Sequence, residues 1–382
     1  MNITCNREKL LAAFQTAAMV APSRSPKPVL QNVKIIASES STVLMATDME
    51  VGVRIEVADV TVETPGSALL SVSQFSSILR ESTDEQLSIE ADHSGLLIRG
   101  ERSKFKLPSS NPDEFPAVAE FSESKYHEIP VRLMKELIRR TLFATDSESS
   151  RYALGGVLFE LEPEQVTAVG TDGRRLAKMA GPAQAIEGHD TGNTTTIVPS
   201  RALQLIERTL IDSDDTVKVT VRGNDILLQT HGATVSSRLV EGRFPRWRDV
   251  LPENREALTI DMTVGPLYSA LRQAAIVASK ESRGIDFTFG DGSLVLSGTT
   301  ADVGESQVEL PISYDGDEIV LCMDHRYVSD FLRVLDPEKS FVMNIVDGDS
   351  AALFQTDDGY GYVVMPLARE KAVAAATAAA VG

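Results

Sequence analysis

The stretch AVGTDGRRLAKMAGP, residues 168–182, decides how the fold is read. Taken alone, its Asp172, followed by Gly and two arginines, is compatible with a catalytic acid. The stretch MATDME, residues 45–50, repeats the Thr-Asp pair and places Asp48 124 positions before Asp172. Repetition at a fixed spacing indicates repeated structural units. We therefore expect both aspartates to shape turns by accepting hydrogen bonds from their own backbone.

The same spacing separates Leu10 from Met134, so the first two repeats stay in register over nearly forty residues. Three segments, 2–20, 127–145 and 258–279, each combine a short strand with an amphipathic helix. Their apolar pairs stand four residues apart, on one helical stripe: Leu10 and Phe14, Met134 and Ile138, Leu267 and Leu271. Alternating β-runs, a second strand and helix, and further hairpins follow each time. The pattern predicts an α+β fold of three repeated domains, each with two helices and antiparallel sheets.

Polar, turn-rich segments set the expected boundaries between the repeats. The first domain is predicted to cover residues 1–125, the second 126–253 and the third 254–367. An alanine-rich tail, residues 368–382, follows the third domain.

Composition favours a soluble, cytoplasmic protein. Hydrophobic residues make up 42% of the 382 positions and charged residues 24%, with no apolar run long enough to span a bilayer. The N-terminus has no secretory signal pattern. Cys5 and Cys322 stand at opposite ends of the chain without metal-ligand spacing, so both are expected to be buried reduced thiols.

No pattern of catalytic chemistry is found in the chain. It has no phosphate-binding loop, no dinucleotide fingerprint and no nucleophile elbow. The five histidines are scattered, and the DGD triplets at 315–317 and 347–349 are expected to be hairpin turns rather than calcium loops. We expect no cofactor, no metal and no enzymatic activity. Two alternatives stay open: an α+β nucleic-acid-processing hydrolase using Asp172 or Asp48 as its acid, and a repeat scaffold that does not bind DNA.

Charge is sorted between the predicted helices and the rest of the chain. The six helical segments, taken as 7–20, 74–81, 131–143, 200–210, 266–283 and 324–335, carry a formal charge of +7, which leaves −25 elsewhere in a chain of −18. A basic helical surface on an acidic protein would attract a polyanion on one side and repel it on the other. Lys and Arg are also good helix formers on solvated faces, which accounts for part of the bias.

Four motifs in order carry a family resemblance: RYALGGVLFE at 151–160, TDGRRLA at 171–177, LVEGRFPRWRDVLP at 239–252 and YVVMP at 362–366. With the threefold repeat, they make the chain resemble the bacterial sliding clamps, the beta subunits of DNA polymerase III. The resemblance implies three DNA-clamp domains per chain and a head-to-tail homodimer closed around duplex DNA. Helices would line the hole, and the ring would tether the polymerase without catalysing a reaction.

The resemblance implies sequence-independent DNA contacts at Arg24 and Tyr152. Ser73, Glu148 and Ala153 stand where relatives often carry basic, amide and aromatic residues. These three positions are equivalent to DNA contacts of the family but lack its residue types.

The resemblance also implies a pocket for short peptides with apolar anchors, which would recruit the polymerase catalytic subunit, the clamp loader and other clamp-motif proteins. Arg174 stands where relatives commonly have His, and Ala368 where they often have Arg. The tail that follows could compete with partners or be neutral. The implied pocket residues are Leu154, Thr171, Gly173, Arg174, Arg175, Leu176, Pro245, Val250, Val363, Met365, Pro366 and Leu367.

Ring closure requires complementary ends that meet after two copies. The resemblance implies that Phe105 and Leu107 of the first domain meet Ile276 and Val277 of the third domain of a second chain. No membrane partner is expected.

Overall fold

The computed structural model describes residues 1–92, 95–108, 110–146, 152–192, 194–211, 214–251, 257–278, 283–300 and 303–367. The chain forms two compact units. Unit 1 contains residues 1–138, 158–166 and 182–242. Unit 2 contains residues 139–157, 167–181 and 243 to the C-terminus.

The described residues contain six α-helices, one at each predicted segment. They are α1 Arg7–Ala18, α2 Val72–Glu81, α3 Val131–Thr141, α4 Ser200–Thr209, α5 Val264–Ala274 and α6 His325–Arg333. The predicted α+β composition with two helices per repeat is therefore confirmed.

The strands follow the helices in the predicted alternation. In the first third they are β1 Asn2–Asn6, β2 Asn32–Ala37, β3 Thr42–Thr47, β4 Val51–Glu56, β5 Val60–Thr64, β6 Gly66–Ser71, β7 Gln86–Asp92, β8 Gly95–Arg99 and β9 Lys104–Leu107. In the second third they are β10 Tyr126–Pro130, β11 Gly156–Glu162, β12 Gln165–Thr171, β13 Arg175–Pro182, β14 Gln184–Ile186, β15 Ile197–Pro199, β16 Thr216–Arg222, β17 Asp225–Gln229 and β18 Ala233–Arg238. In the last third they are β19 Leu258–Thr263, β20 Gly284–Gly290, β21 Ser293–Thr300, β22 Gly304–Pro311, β23 Ile319–Asp324, β24 Ser340–Ile345, β25 Ala352–Gln355 and β26 Gly361–Val364.

Unit 1 contains two sheets. One has five strands in the order β5-β1-β7-β8-β9, and the other has nine in the order β14-β10-β16-β17-β18-β4-β3-β2-β6. Phe14 of α1 meets Phe75 of α2 edge to face, with ring centroids 4.9 Å apart, and both rings are fully buried. This aromatic pair fixes the two helices to each other over the core.

Unit 2 contains a four-stranded sheet in the order β22-β21-β20-β23 and the five-strand run β13-β26-β25-β24-β19 of a further sheet. Phe331 of α6 lies at the centre of its aromatic core. The ring stacks on Tyr360 and Tyr362 at centroid distances of 5.5 and 5.3 Å and meets Phe341 edge to face. Helix α6 is thereby held against β24 and β26.

Helix α5 ends earlier than the prediction of 266–283. After Ala274 the chain tightens into a 3-10 turn, Ala275–Val277, and Arg283 lies outside the helix. Two side chains satisfy carbonyls at this end: Ser306 Oγ donates to Ala274 O at 2.8 Å, and Thr300 Oγ1 donates to Val277 O at 2.7 Å. Part of the charge assigned to this helix by sequence therefore does not belong to it.

The two cysteines differ in burial. Cys5 is fully buried, as predicted, and burial raises the pKa of its thiol to about 12. Cys322 is only partly buried, so the expectation was wrong for this residue. It lies on β23, which is an edge strand of the four-stranded sheet. Among the described residues, no helix is long and apolar enough to cross a membrane.

Unit 1 contains a buried pair of histidines that no sequence pattern predicts. His127 Nδ1 and His189 Nδ1 lie 2.6 Å apart, His127 Nε2 lies 3.0 Å from Glu162 O, and His189 Nε2 lies 3.4 Å from Thr220 Oγ1. A carbonyl only accepts, so His127 carries its proton on Nε2, and its Nδ1 accepts from the Nδ1–H of His189. The Thr220 hydroxyl then donates to His189 Nε2. Two neutral imidazole rings therefore satisfy all three of these hydrogen bonds.

This pair predicts acid-sensitive stability. The pKa of each ring is lowered, chiefly by burial, from an ordinary value of 6.5. The unfolded chain therefore binds more protons than the folded one, and the stabilisation is complete above pH 6.5 and lost as pH falls. We expect the thermal midpoint to drop between pH 7.5 and 5.5. His127→Asn/His189→Asn should be less stable at pH 7.5 but show a shallower fall.

The control for this prediction is His231→Gln, because His231 is exposed. Calorimetry across the pH series should show the thermal midpoint of this variant falling with pH as steeply as that of the parent chain. Equal slopes in all three proteins would contradict the assignment. His325 also has a pKa lowered by burial, so the double variant should reduce the slope rather than abolish it.

Candidate functional site

The turn between β12 and β13 is built by the side chains of Thr171 and Asp172. Asp172 Oδ1 accepts from the backbone N–H of Arg174 at 2.9 Å and of Arg175 at 3.0 Å. Thr171 Oγ1 donates to Arg175 O at 2.6 Å and accepts from Gly173 N–H at 3.1 Å. Gly173 has a φ of +87°, a conformation that favours glycine. The predicted turn role of Asp172 is confirmed.

Arg175 connects this turn to α6. Its Nε lies 2.9 Å from Asp172 Oδ2 and its Nη1 lies 2.7 Å from Asp330 Oδ2. Its Nη2 donates to Phe143 O at 2.6 Å, and its guanidinium carbon lies 4.5 Å from the centroid of the Tyr327 ring. The side chain is only 10% exposed.

The charge of Arg175 is stabilised in spite of its burial. Burial by itself lowers the pKa of the guanidinium, but interactions with Tyr362, Asp330 and Asp172 outweigh burial and raise it. Charge-assisted bonds to two carboxylates explain this direction. Arg175 is therefore a permanently charged link between the turn and α6.

The C-terminal strand lies beside the turn. In the antiparallel pair of β13 and β26, Arg175 is opposite Val364 and Leu176 is opposite Val363. Beyond the strand, Met365 N–H donates to Arg174 O at 2.9 Å and Leu367 N–H donates to Cys322 O at 2.7 Å. The backbone therefore brings together two sequence motifs that lie about 190 residues apart in the chain.

All twelve residues of the implied pocket lie in unit 2. Leu154, Leu176 and Val363 are buried, whereas Val250 and Met365 are 41% and 44% exposed. Arg174 is exposed beside the apolar set. Pro245 and Val250 lie in the segment that includes the 3-10 turn Trp247–Val250. The pKa of Lys178 in β13 is lowered chiefly by burial and, second, by the positive charge of Arg248. The segment that contains Arg248 therefore lies close to β13.

A polar network holds the β25–β26 hairpin in place. Asp358 Oδ2 lies 2.8 Å from Arg140 Nη1 and 2.8 Å from Lys339 Nζ, and Tyr360 OH donates to Arg140 O at 2.9 Å. Burial opposes the charge of Asp358, but hydrogen bonds from Lys339, Thr356 and Arg140 hold the pKa of its carboxyl well below the ordinary range. The strand that supplies Val363 to the site is thus fixed at its start.

Unit 1 contains a second copy of this backbone arrangement. Asp48 Oδ1 accepts from the N–H of Glu50 at 2.9 Å and of Val51 at 2.8 Å, so its predicted turn role is also confirmed. In the pair of β4 and β18, Val51 is opposite Ser237 and Gly52 is opposite Ser236. Arg238 N–H donates to Glu50 O at 2.9 Å, and Val240 N–H donates to Ile197 O at 2.8 Å. These bonds correspond one for one to those of unit 2.

The side chains make the second copy polar and closed. Gly52 stands at the position of Leu176, and a Cβ there would lie 2.8 Å from Ser236 Oγ and 3.0 Å from a methyl of Val118. At the positions of Arg174 and Met365 stand Glu50 and Arg238, whose charged groups lie 3.6 Å apart. An apolar surface is therefore open only in the unit 2 copy.

The implied DNA-contact residues are distributed over both units. Arg24 is exposed in the loop after α1, and Ser73 is exposed on α2. Tyr152 and Ala153 belong to the 3-10 turn Tyr152–Leu154, where Ala153 is partly buried. Glu148 lies outside the described residues.

The residues implied in ring closure lie at sheet edges or exposed turns. Phe105 and Leu107 are partly buried on β9, the edge strand of the five-stranded sheet of unit 1. Ile276 is 76% exposed in the 3-10 turn after α5, and Val277 follows it partly buried.

Three residues of α6 and its neighbourhood were not among the predicted site residues. Tyr327 and Asp330 position Arg175, and the carbonyl of Cys322 anchors Leu367. The spacing of Tyr327 and Asp330, three residues apart on one helix face, was the available signal. Within the described part of the chain, no group of three or more acidic, His or Cys side chains is arranged to hold a metal ion.

Known protein families were compared with this chain, and one family matches it along nearly its whole length. Models of the DNA polymerase III beta subunit match in order: the N-terminal domain at residues 1–119, the central domain at 128–246 and the C-terminal domain at 248–368. The fold is thus that of a DNA clamp built from three clamp domains. The hydrolase alternative is not favoured.

Individual relatives agree with this class. The beta sliding clamp of Pseudomonas putida is 30% identical over 372 residues, covering 96% of this chain and all of the relative, and that of Escherichia coli K12 is 29% identical. The crystal structure of the beta subunit from Pseudomonas aeruginosa has a TM-score of 0.87 at 29% identity, covering 97% of this chain and all of that one. The chain belongs to the DNA polymerase III beta subunit family.

The Arg175 link predicts a large effect on stability. Arg175→Met leaves Asp172 and Asp330 without their shared partner, so we expect a loss of about 3 kcal/mol, within the range for breaking a buried pair. Arg175→Lys should recover only part, because one ammonium cannot replace three separate donors. Urea unfolding followed by circular dichroism would measure the shift.

The neighbouring Arg174→Ala is the matched control, since Arg174 is exposed. It should change stability by less than about 0.5 kcal/mol. Similar midpoints for Arg175→Met and Arg174→Ala would show that Arg175 does not link the turn to α6.

Proposed function

We propose that this chain is a sliding clamp that encircles duplex DNA and tethers the replicative DNA polymerase for processive synthesis. The ordered match of all three clamp domains along the chain carries this proposal. The ring has no catalytic residues or cofactor of its own, and it works in the cytoplasm. Its three domains cover residues 1–125, 126–253 and 254–367, and residues 368–382 form a tail.

We propose that two chains join head to tail through the edge strands β9 and β22. On β9, the exposed Lys104 and Lys106 alternate with the half-buried Phe105 and Leu107; on β22, Glu305 and Glu309 are exposed. Opposite charges on two free edges support pairing between copies, and pairing would also cover edges that otherwise aggregate. Phe105 and Leu107 would pack against Ile276 and Val277 of the second chain.

DNA is held without readout of its sequence, by contacts to phosphate. Arg24 and Tyr152 are the proposed contacts carried over from the family. Ser73 lacks a charge, and Glu148 carries the wrong one. We assign them, with Ala153, no attractive role.

The apolar surface of unit 2 is the proposed docking site for partner peptides, including those of the polymerase catalytic subunit and the clamp loader. Buried Leu176 and Val363 form its floor, and exposed Met365 and Val250 form its rim. A flexible Met side chain adapts to different apolar anchors. One related structure, the Pseudomonas aeruginosa clamp at a TM-score of 0.89, is bound to griselimycin.

The closed copy in unit 1 shows how to close the proposed pocket. Arg174→Glu/Met365→Arg would install in unit 2 the charge pair that Glu50 and Arg238 form in unit 1. We expect a fluorescein-labelled peptide ending in Leu-Phe to bind at least about tenfold more weakly, a loss of about 1.4 kcal/mol. Fluorescence polarisation measures the affinity, and the thermal midpoint should stay within about 2 °C because both sites are exposed.

The matched control swaps the pair in unit 1, Glu50→Arg/Arg238→Glu, and should leave peptide affinity unchanged. Equal weakening by both double variants would mean a general charge effect. No weakening by the unit 2 variant would place peptide binding elsewhere.

The topological link is tested on nicked circular DNA. After loading by a clamp loader, linearising the circle should release the protein, because a ring slides off free ends. Gel filtration of the DNA-bound fraction before and after cleavage measures retention. Equal retention on circular and linear DNA would overturn the proposal that the protein encircles DNA. Association with neither DNA would favour a scaffold that does not bind DNA.

A further inference from the structure

The sheet face that carries the apolar floor of unit 2 continues beyond that floor to a lysine. Side chains alternate along a strand, so Lys178 of β13 lies on the same face as Leu176. Their partners on β26, Gly361 and Val363, are directly opposite and share this face. The alternate residues of both strands face α6. Lys178 therefore follows the floor at a distance of about 7 Å, two residues along β13.

The strand opposite Lys178 leaves open space beside this lysine. Apart from the chain neighbours of Gly361, a Cβ built on this glycine would meet no atom within 4 Å. The next residue across the sheet on this face is Gln355 of β25, which is opposite Gly361. Its Oε1 accepts from Asn344 Nδ2 at 3.0 Å. The side chains beyond the open space are thus polar but uncharged.

Lys178 is a half-buried cation that lacks an anionic partner. Within the described ranges of the chain, no residue accepts a hydrogen bond from its Nζ or forms an ion pair with it. Burial, and second the positive charge of Arg248, lower the pKa of its ammonium. The guanidinium carbon of Arg248 lies 4.2 Å from the centroid of the Trp247 ring. Two cations are therefore held close together, and a partly buried ammonium without an acceptor costs free energy.

The position of Lys178 indicates the class of partner that would complete it. A carboxylate would form a charge-assisted hydrogen bond with the ammonium. Lys178 adjoins the floor of Leu176 and Val363, so a peptide whose apolar anchors lie on the floor would bring its neighbouring side chains to the lysine. The chain has a formal charge of −18, so an acidic peptide is repelled by most of the surface and attracted here.

We infer that Lys178 selects partner peptides that carry an acidic side chain next to their apolar anchors. The inference rests on the proposed docking function and identifies the chemistry of its partners. The anchors occupy the floor, and the carboxylate enters the open space over Gly361 and accepts from Lys178 Nζ, with the charge of Arg248 nearby. Peptides with the same anchors and no acidic residue bind more weakly, so Lys178 determines specificity.

The test compares peptides that differ in one functional group. Four fluorescein-labelled peptides, each amidated at its C-terminus, place Glu or Gln directly before or directly after the Leu-Phe pair. Amidation removes the terminal carboxylate as a source of negative charge. Fluorescence polarisation should show that Glu binds about tenfold more tightly than Gln at one position or both, within the range for a hydrogen bond to a charged group. Lys178→Met should abolish this preference and leave the affinity of the Gln peptides unchanged.

Three further variants test whether the preference comes from Lys178. Lys178→Arg keeps the charge and should keep a preference for Glu. Lys125→Met removes an exposed lysine of unit 1, and Arg174→Ala removes the exposed cation at the other end of the floor. Both should retain the full preference. A preference that survives Lys178→Met, or that either control variant removes, would overturn the inference.

Peptide affinity in the parent chain separates this inference from the proposed function. If Glu and Gln peptides bind the parent chain equally and Arg174→Glu/Met365→Arg weakens all four, the docking site stands and the inference fails. If the parent chain binds none of them, the proposed docking site itself fails.

Thermal midpoints check the folding of the lysine variant. Lys178→Met should melt no lower than the parent chain, because it removes a half-buried charge that lacks a partner. A lower midpoint would show that Lys178 has a structural role and would overturn the inference.

Discussion

The carboxylate of Asp172 is the constraint on which the rest of unit 2 depends. One oxygen closes the turn through two backbone N–H groups, and the other binds Arg175, which in turn binds Asp330 of α6. The turn sets the start of β13, and β13 sets the register of β26. Strand β26 contains the buried Val363 and leads directly into the exposed Met365. A single side chain thus orients both the turn and the strand that carry the apolar surface.

The two copies of this arrangement separate what the backbone specifies from what the side chains specify. Turn, strand register and two flanking hydrogen bonds are the same in both units, so none of them creates a binding surface by itself. Gly52, Ser236 and the pair of Glu50 and Arg238 close one copy. Leu176, Val363 and the pair of Arg174 and Met365 leave the other apolar and open. The proposed peptide site in unit 2 therefore depends on a few side chains carried by a backbone arrangement that both copies share.

Sequence alone predicted the helices, the alternation of strands and the turn roles of Asp48 and Asp172, because these depend on local periodicity and on hydrogen bonds within a few residues. It could not predict the burial of Arg175, which depends on Asp330 in a helix more than 150 positions away. The contact between the paired histidines was missed for the same reason, since their surroundings come from three strands and a loop that lie apart in the sequence. The end of α5 was misplaced because Ser306 and Thr300, which satisfy its last carbonyls, belong to a sheet that follows it.

The pairing of β13 with β26 also orders the events of biosynthesis. Its two strands lie about 190 residues apart, so closing this long loop must await translation of all the residues between them. N-terminal segments can fold earlier on the ribosome. A prematurely terminated chain would lack β26 and with it Val363 and Met365. The surface therefore forms only after β26 has been translated, and chains that end before β26 do not acquire it.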